Sequence, residues 1–407
     1  MSTSGVVLQL AAVGEQDVYL TGNPQNTHFK SAIKRYTNFS MESIRCYFDG
    51  SSKTGEKVCC TIRKIGDLLA NIHLTITLPS LYDNFGVNNL YVSWINNIGF
   101  ALIEQVDLQI GDQLIDRQYG QWMYIWSELS STYEQKETLS SLVGRNEVHT
   151  YSTSTGSLTL NIPFYFWFCK NSGVALPLIA LQNQEVRIWI QFRELKKLWI
   201  SNNITEANKI MPSALEFTSV SLLCDYIFLD NEERIYFAQN THHYMIEQLQ
   251  VQSESIDINK QVSIIEIPFN HPVKELFWVI QGNAIFLSND IFNFSDDSSD
   301  NPQPPIQSVV LRMEGTERFQ EMNEYYFRKI LPNQYHTSTS NNYIYMYSFA
   351  LSPEELQPTG TANFSRIDRA TLHITISNIR NSMVYVYATN YNLFQIKNGS
   401  SGVVFLD

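Results

Sequence analysis

The sequence predicts an all-β chain in which one sandwich architecture is used twice, with a few short helices in the connections. Three observations carry this. Apolar side chains alternate with polar ones in about sixteen segments. Clusters of Gly, Asn, Ser and Pro separate those segments. Apolar positions in the two halves also repeat at one fixed spacing.

In order along the chain, Asn71–Pro79 places Ile72, Leu74, Ile76 and Leu78 on one face, with His73, Thr75 and Thr77 on the other. Such a period of two, rich in β-branched residues, is a half-buried strand. The stretch Ile162–Phe192 reads as an aromatic strand through Phe168, a short turn, an apolar Leu-Pro segment and a second strand with Val186, Ile188, Ile190 and Phe192 on one face. Ile344–Ile376 is its partial counterpart, ending on Leu372, Ile374 and Ile376. Ile115–Leu129 and Glu317–Ile330 are the best helix candidates. Leu74, Ile76, Leu108 and Ile110 meet Phe277, Val279, Leu311 and Met313 at one offset of 203 residues. Each second strand then runs into a glycine (Gly111, Gly315) and a helix-like aromatic segment. One register held over two strands and a helix indicates an internal duplication. The predicted organisation is an N-terminal arm over 1–38, a first sandwich over 39–230, a charged linker over 231–240 and a second sandwich over 241–407. Ser295–Pro305 is the clearest loop, because its Pro, Ser and Asp cannot join a ladder.

The 407 residues suffice for two large β domains. Charged residues make up only 17%, against roughly 25% in an average soluble chain. With 22 Tyr and 23 Phe, this points to apolar or polar-neutral surfaces that are buried between subunits. A net charge of −12 repels nucleic acid at long range, which argues against direct DNA contact. Lys30, Lys34 and Arg35 read as a solvated local patch. Cys46, Cys59, Cys60, Cys169 and Cys224 contain no CxxC and sit mostly in strand text, which favours small buried hydrophobes in a reducing compartment. The N-terminus lacks a basic, signal-like region, and Val6–Val13 is too short to span a bilayer.

No residue pattern predicts catalysis, a cofactor or a metal site. Gly50–Lys57 mimics a phosphate loop, but Glu56 stands where that motif needs Lys, so a hairpin loop is expected. His242 and His243 point to opposite faces of a strand and read as packing or surface residues. Asp296, Asp297 and Asp300 lack EF-hand spacing and read as a solvated loop. Cys169, placed at a strand end among aromatics, reads as a core thiol with a raised pKa. Sequons occur at Asn38, Asn203, Asn293, Asn363 and Asn398; Asn203 and Asn293 lie in the most loop-like text and are the candidates for glycosylation.

Four stretches together resemble a known family. Val18–Ile44 (VYLTGNPQNTHFKSAIKRYTNFSMESI) is similar to the N-terminal arm of the major capsid proteins of nucleocytoplasmic large DNA viruses. So are FWFC…LPLIAL…EV in Phe166–Val186, the Ser348–Asp368 stretch with QPTGTANFSRID, and YATNYN (Tyr387–Asn392) followed by NGSSGVVF (Asn398–Phe405). These run in the family's order over essentially the whole chain. The resemblance implies two tandem eight-stranded antiparallel jelly rolls, and a homotrimeric, pseudo-hexagonal capsomer tiling an icosahedral shell. It further implies neighbouring capsomers, minor capsid and penton proteins and an inner viral membrane as partners, with assembly in a cytoplasmic virus factory. The arm, rich in Gly, Asn, Gln and Thr, is expected to order only on assembly, beneath the barrels. Two rival readings are a minor capsid or vertex protein of the same fold and a carbohydrate-binding sandwich. The latter would need an acid pair set in strand text, which the sequence does not show.

Overall fold

The computed structural model describes residues 4–81, 90, 92–145, 156–256, 260–296, 302–377 and 381–405. Contacts divide the chain into two units, Met1–Asn38 and Phe39–Asp407. The first unit holds helices α1 (Ser4–Ala11) and α2 (Glu15–Thr21), neither with a buried residue.

In the second unit the alternating segments form strands as expected. The first half contributes β1 (Phe39–Tyr47), β2 (Lys57–Ile62), β3 (Leu68–Leu78), β4 (Ile103–Ile110), β5 (Gln113–Gln118), β6 (Leu158–Pro163), β7 (Val186–Phe192) and β8 (Ser219–Leu229). They pair antiparallel in two sheets, ordered β1-β8-β3-β6 and β2-β7-β4-β5. The second half contributes β9 (His242–Ser255), β10 (Val262–Glu266), β11 (Pro272–Gly282), β12 (Ile306–Met313), β13 (Thr316–Glu317), β14 (Tyr345–Ser348), β15 (Ala370–Ile376) and β16 (Ser382–Lys397). Their sheets run β9-β16-β11-β14 and β10-β15-β12-β13, the same order again. Each half is therefore an eight-stranded jelly roll, two sheets facing each other across an apolar core. No strand of one half pairs with a strand of the other among the described residues.

The duplication persists in strand positions. β1 and β9 begin at 39 and 242, β4 and β12 at 103 and 306, and β5 and β13 at 113 and 316, each pair 203 apart. The offset falls to 187 at β6 and β14, which begin at 158 and 345. The first half carries extra chain at this point, including helix α4 introduced below. In β3, Ile72, Leu74, Ile76 and Leu78 are buried to within 1% of complete, as are the four inward-facing apolar residues of β7, Val186, Ile188, Ile190 and Phe192.

Helix α3 (Gly120–Ser130) is buried from Gly120 through Leu129, and α4 (Tyr133–Val143) follows it. Gly120 is required where it stands, since a Cβ there would lie 2.0 Å from the Phe100 carbonyl oxygen and 2.2 Å from that of Ile103. The segment expected to be a linker is a helix, α5 (Asn231–Gln239), whose Phe237 packs on a small cluster of Leu68, Ala70, Ala175 and Ile227.

Four local expectations are corrected. Ile115–Gln118 is strand, not helix, because the tight turn at Gly111 (φ +61°) folds it back onto β4 as the sheet's edge; the helix starts at Gly120. Glu317–Ile330 is helical only from Glu324, widening over Tyr326–Ile330 before it continues into α6 (Leu331–Tyr335). Pro332 cannot donate a backbone hydrogen bond into the preceding turn, which accounts for the widened ladder there. The aromatic strand stops at Pro163, and Trp167–Lys170 is a helical turn. A one-sided strand could not bury three consecutive rings, yet Phe166, Trp167 and Phe168 are all within 3% of fully buried. Gly50–Lys57 is not a hairpin but the crossing from one sheet to the other. It is pinned where the Thr54 backbone N–H donates to the Leu215 carbonyl at 3.0 Å and the Thr54 hydroxyl accepts from the Leu215 N–H at 2.9 Å.

Candidate functional site

The functional feature of this chain is how its two sandwiches are joined and what they leave exposed. Helix α3 fills the seam. Trp122 lies edge-on to Phe277 at 5.1 Å and beside Tyr387 at 5.7 Å, and Tyr124 stacks on Phe292 at 4.5 Å. The Tyr387 hydroxyl donates to Gln121 Oε1 at 2.5 Å.

Charged groups close the rest of the seam. Glu128 of α3 pairs with Arg145 at 2.6 Å and accepts from Ser340 Oγ at 3.1 Å. Glu247 of β9 sits between Lys170, from the helical turn of the first half, and Lys274 of β11 at 2.6 Å. Lys274 is 1% exposed and also donates to the Pro353 carbonyl at 2.8 Å. Burial favours a protonated Glu247, but the two lysines outweigh it and bring its pKa down to about 2. Asp116 of β5 is the opposite case. Burial raises it to about 6, and the Gln118 side chain and the Leu249 N–H of β9 offset this only in part. His336 contacts Glu275 at 2.9 Å and Glu354 at 2.8 Å. Its burial opposes the charged ring, yet the two carboxylates hold its pKa up at about 9.

That shift predicts a pH dependence. The folded His336 binds its proton more tightly than an unfolded one with an ordinary value of 6.5. Its contribution, on the order of 3 kcal/mol, is fully present below pH 6.5 and is lost as pH rises through about 9. Urea midpoints should therefore fall between pH 6.5 and 9 in the wild type, with a flatter profile in His336→Gln.

A strap adds a second joint. The turn after β16 returns through Ser400–Val403 and binds the first sandwich. Gln184 accepts from Ser401 N–H at 2.6 Å and donates to the Ser401 carbonyl at 3.2 Å; Asn183 N–H donates to the Gly399 carbonyl at 2.9 Å. Gln113 Oε1 accepts from the Val403 N–H at 3.2 Å. Gln184→Ala is expected to destabilise by about 1–2 kcal/mol, read as a lower denaturant midpoint at unchanged slope.

The residues singled out from sequence are dispersed. His242 is buried against the Phe237 ring with Nε2 2.9 Å from the Phe237 carbonyl, whereas His243 is exposed on the other face. Cys169 lies in the helical turn with burial pushing its thiol up to about 12. Asp296 Oδ1 accepts from the Gln303 N–H at 2.8 Å and closes its own loop; Asp297 and Asp300 lie outside the described residues. Asn203 is exposed, and its Oδ1 caps the helix Ile204–Ile210 through the Glu206 N–H. Asn293 is half-buried and committed, donating to Asp290 at 2.8 Å and accepting from the Ser295 N–H at 3.0 Å. Sequence reasoning missed Glu247, Lys274, Glu275 and His336, which carry no spacing signal because their partners are distant in the chain.

Outward faces retain apolar side chains. Val262 and Ile264 on the edge strand β10 are 45% and 51% exposed, and Met41 on the edge strand β1 is 52% exposed. Apolar residues on sheet edges are docking surfaces or aggregation liabilities unless another chain covers them.

Comparisons with known proteins agree with this architecture. The profile of the major capsid protein N-terminus matches residues 27–230, and that of the large eukaryotic DNA virus major capsid protein matches residues 233–402. The chain is 37% identical to the major capsid protein of Pyramimonas orientalis virus, over 98% of this chain and 99% of that one. It is 34% identical to that of Phaeocystis pouchetii virus, over 99% of both. Among solved structures, the PBCV-1 virus capsid quasi-atomic model superposes with a TM-score of 0.78 at 27% identity, covering 94% of this chain and 100% of that one. The Faustovirus major capsid protein shares the fold, with a TM-score of 0.75 at 10% identity over 96% of both chains. With both profiles in register on its two jelly rolls and full-length relatives above 30% identity, this chain belongs to the major capsid proteins of large eukaryotic DNA viruses.

Proposed function

We propose that three copies of this chain close into a capsomer of nearly hexagonal outline that tiles the icosahedral shell of a large double-stranded DNA virus. One observation carries the reading: two sandwiches of identical strand order stand in one chain, so a threefold ring presents six similar blocks. The chain acts by assembly and not by catalysis. Many repeated contacts, each weak enough to correct, give a strong shell in aggregate. The exposed apolar edges support large apolar contacts within the trimer, and smaller, more polar ones join neighbouring capsomers. Functional domains are assigned as an arm over 1–38, jelly rolls over 39–230 and 241–407, and the linker between them. Minor capsid and penton proteins and an inner viral membrane are the further partners, with no direct DNA contact, and assembly occurs in a cytoplasmic virus factory. Of the two candidate sequons, Asn203 is the better glycan acceptor, because a glycan on Asn293 would displace its hydrogen bond to Asp290. Intact-mass analysis of particle-derived protein, beside Asn203→Gln, reads this directly.

Light scattering of the soluble protein tests the assembly reading. A chain of 46.9 kDa predicts a trimer of about 141 kDa; a monodisperse monomer at assembly concentrations would overturn it.

A further inference from the structure

The outer face around the linker helix combines exposed apolar side chains with acidic groups that make no ion pair among the described residues. Met41 of β1 pairs in register with Ile227 of β8, and α5 covers Ile227 through Phe237, so Met41 lies beside the helix. Along α5, Ile235 and Tyr236 are 56% and 58% exposed. Glu232 is one helical turn before Tyr236, with Glu233 next to it. The acidic side chains of Glu232 and Glu233 make no ion pair among the described residues; Arg234, the helix's one cation, is taken by Asp67 at 3.0 Å. The result is an apolar strip flanked by unneutralised carboxylates.

The arm contains the complementary pattern. In His28–Tyr36 (HFKSAIKRY), Phe29, Ile33 and Tyr36 fall at i, i+4 and i+7, with Lys30 and Lys34 at i and i+4 alongside them. The segment holds no helix within one chain; wound into one, that spacing puts an apolar stripe next to a basic one on a single face. Phe29 and Ile33 are 98% and 91% exposed within one chain. The arm's charges sum to +1 (three cations, two anions), and the remainder of the chain therefore carries −13. The attraction is local, and it selects the acidic strip over a general apolar surface.

We propose that the segment His28–Tyr36 of one chain docks on the Met41–Ile235–Tyr236 strip of a second copy, with Lys30 and Lys34 facing Glu232 and Glu233. The proposal rests on the capsomer reading and supplies the arm's partner within it. Docking orders a segment too short to hold a helix alone, so the arm fastens one chain to another only once both are present.

Full-length Ile33→Cys and Tyr236→Cys single variants, co-expressed and oxidised with diamide, test it. Because the two new thiols are then on different chains, a cross-linked peptide joining positions 33 and 236, found by mass spectrometry, can arise only between copies. We expect that peptide. We further expect E232K/E233K to reduce its yield about tenfold, two surface charge pairs being worth roughly a decade of affinity. Adding K30E/K34E to the Ile33→Cys chain should restore it. A cross-link formed in the double variant Ile33→Cys/Tyr236→Cys but absent from the co-expressed single variants overturns the proposal in favour of docking on the same chain. Insensitivity to charge reversal overturns the assigned contact. Trimers by light scattering with no cross-link sink the docking alone, whereas monomers sink the capsomer reading itself.

Discussion

Replacing Glu247 by alanine is expected to cost about 3–5 kcal/mol, the range for breaking a buried ion pair from one side. The loss is large because Lys274 stays behind, 1% exposed, with the Pro353 carbonyl and the Trp126 and Tyr391 rings beside it but no ion-pair partner left among the described residues. Removing both partners should be far milder. In Glu247→Leu with Lys274→Met no buried charge remains, and most of the stability should return. Acid should mimic the single substitution. Glu247 is held at about 2 against an ordinary 4.5, so its contribution is complete above pH 4.5 and is lost as pH falls towards 2. Denaturant midpoints of the three proteins between pH 7 and 2.5 would settle this. A Glu247→Ala midpoint indistinguishable from wild type at pH 7 would show that the lysines find water or another carboxylate.

Trp122→Ala is expected to destabilise by about 3–5 kcal/mol, and it should change the form of unfolding as well as its midpoint. Trp122 is 3% exposed and meets Trp126 of its own helix at 5.8 Å, Phe277 of β11 and Tyr387 of β16. It therefore belongs to the cores of both halves. Each jelly roll retains its own complete pair of sheets when the ring is deleted. Calorimetry should then resolve two transitions where the wild type shows one cooperative event. A single transition, merely shifted, would mean that the strap at Gln184 and the ion pairs suffice to couple the halves.

The strands were legible because their signal is local. Ile72, Leu74, Ile76 and Leu78 announce their face within seven residues, and burial follows that alternation. The duplication was legible because the offset of 203 is preserved until the extra chain after α3. Helix α4 carries a start signal in Thr132 and Gln135, which form a capping box, and a stop in the left-handed Gly144. Its weak apolar spacing hides it from a reading built on periodicity. Ile115–Gln118 misleads in the other direction, since it runs straight on into a true helix and only the fold-back at Gly111 makes it strand.

Alternation, turn residues and repeated spacing thus determined the strand inventory, the two halves and the family, because each is written within a few residues or in a register kept along the chain. Only the tertiary structure decided how the halves are joined. Ser340 reaches Glu128 across 212 residues and Lys170 reaches Glu247 across 77, distances over which no local pattern constrains a partner. A buried charge is fixed by what folding brings beside it: the sequence supplies lysine and glutamate, and the packing of one jelly roll against the other turns them into a joint.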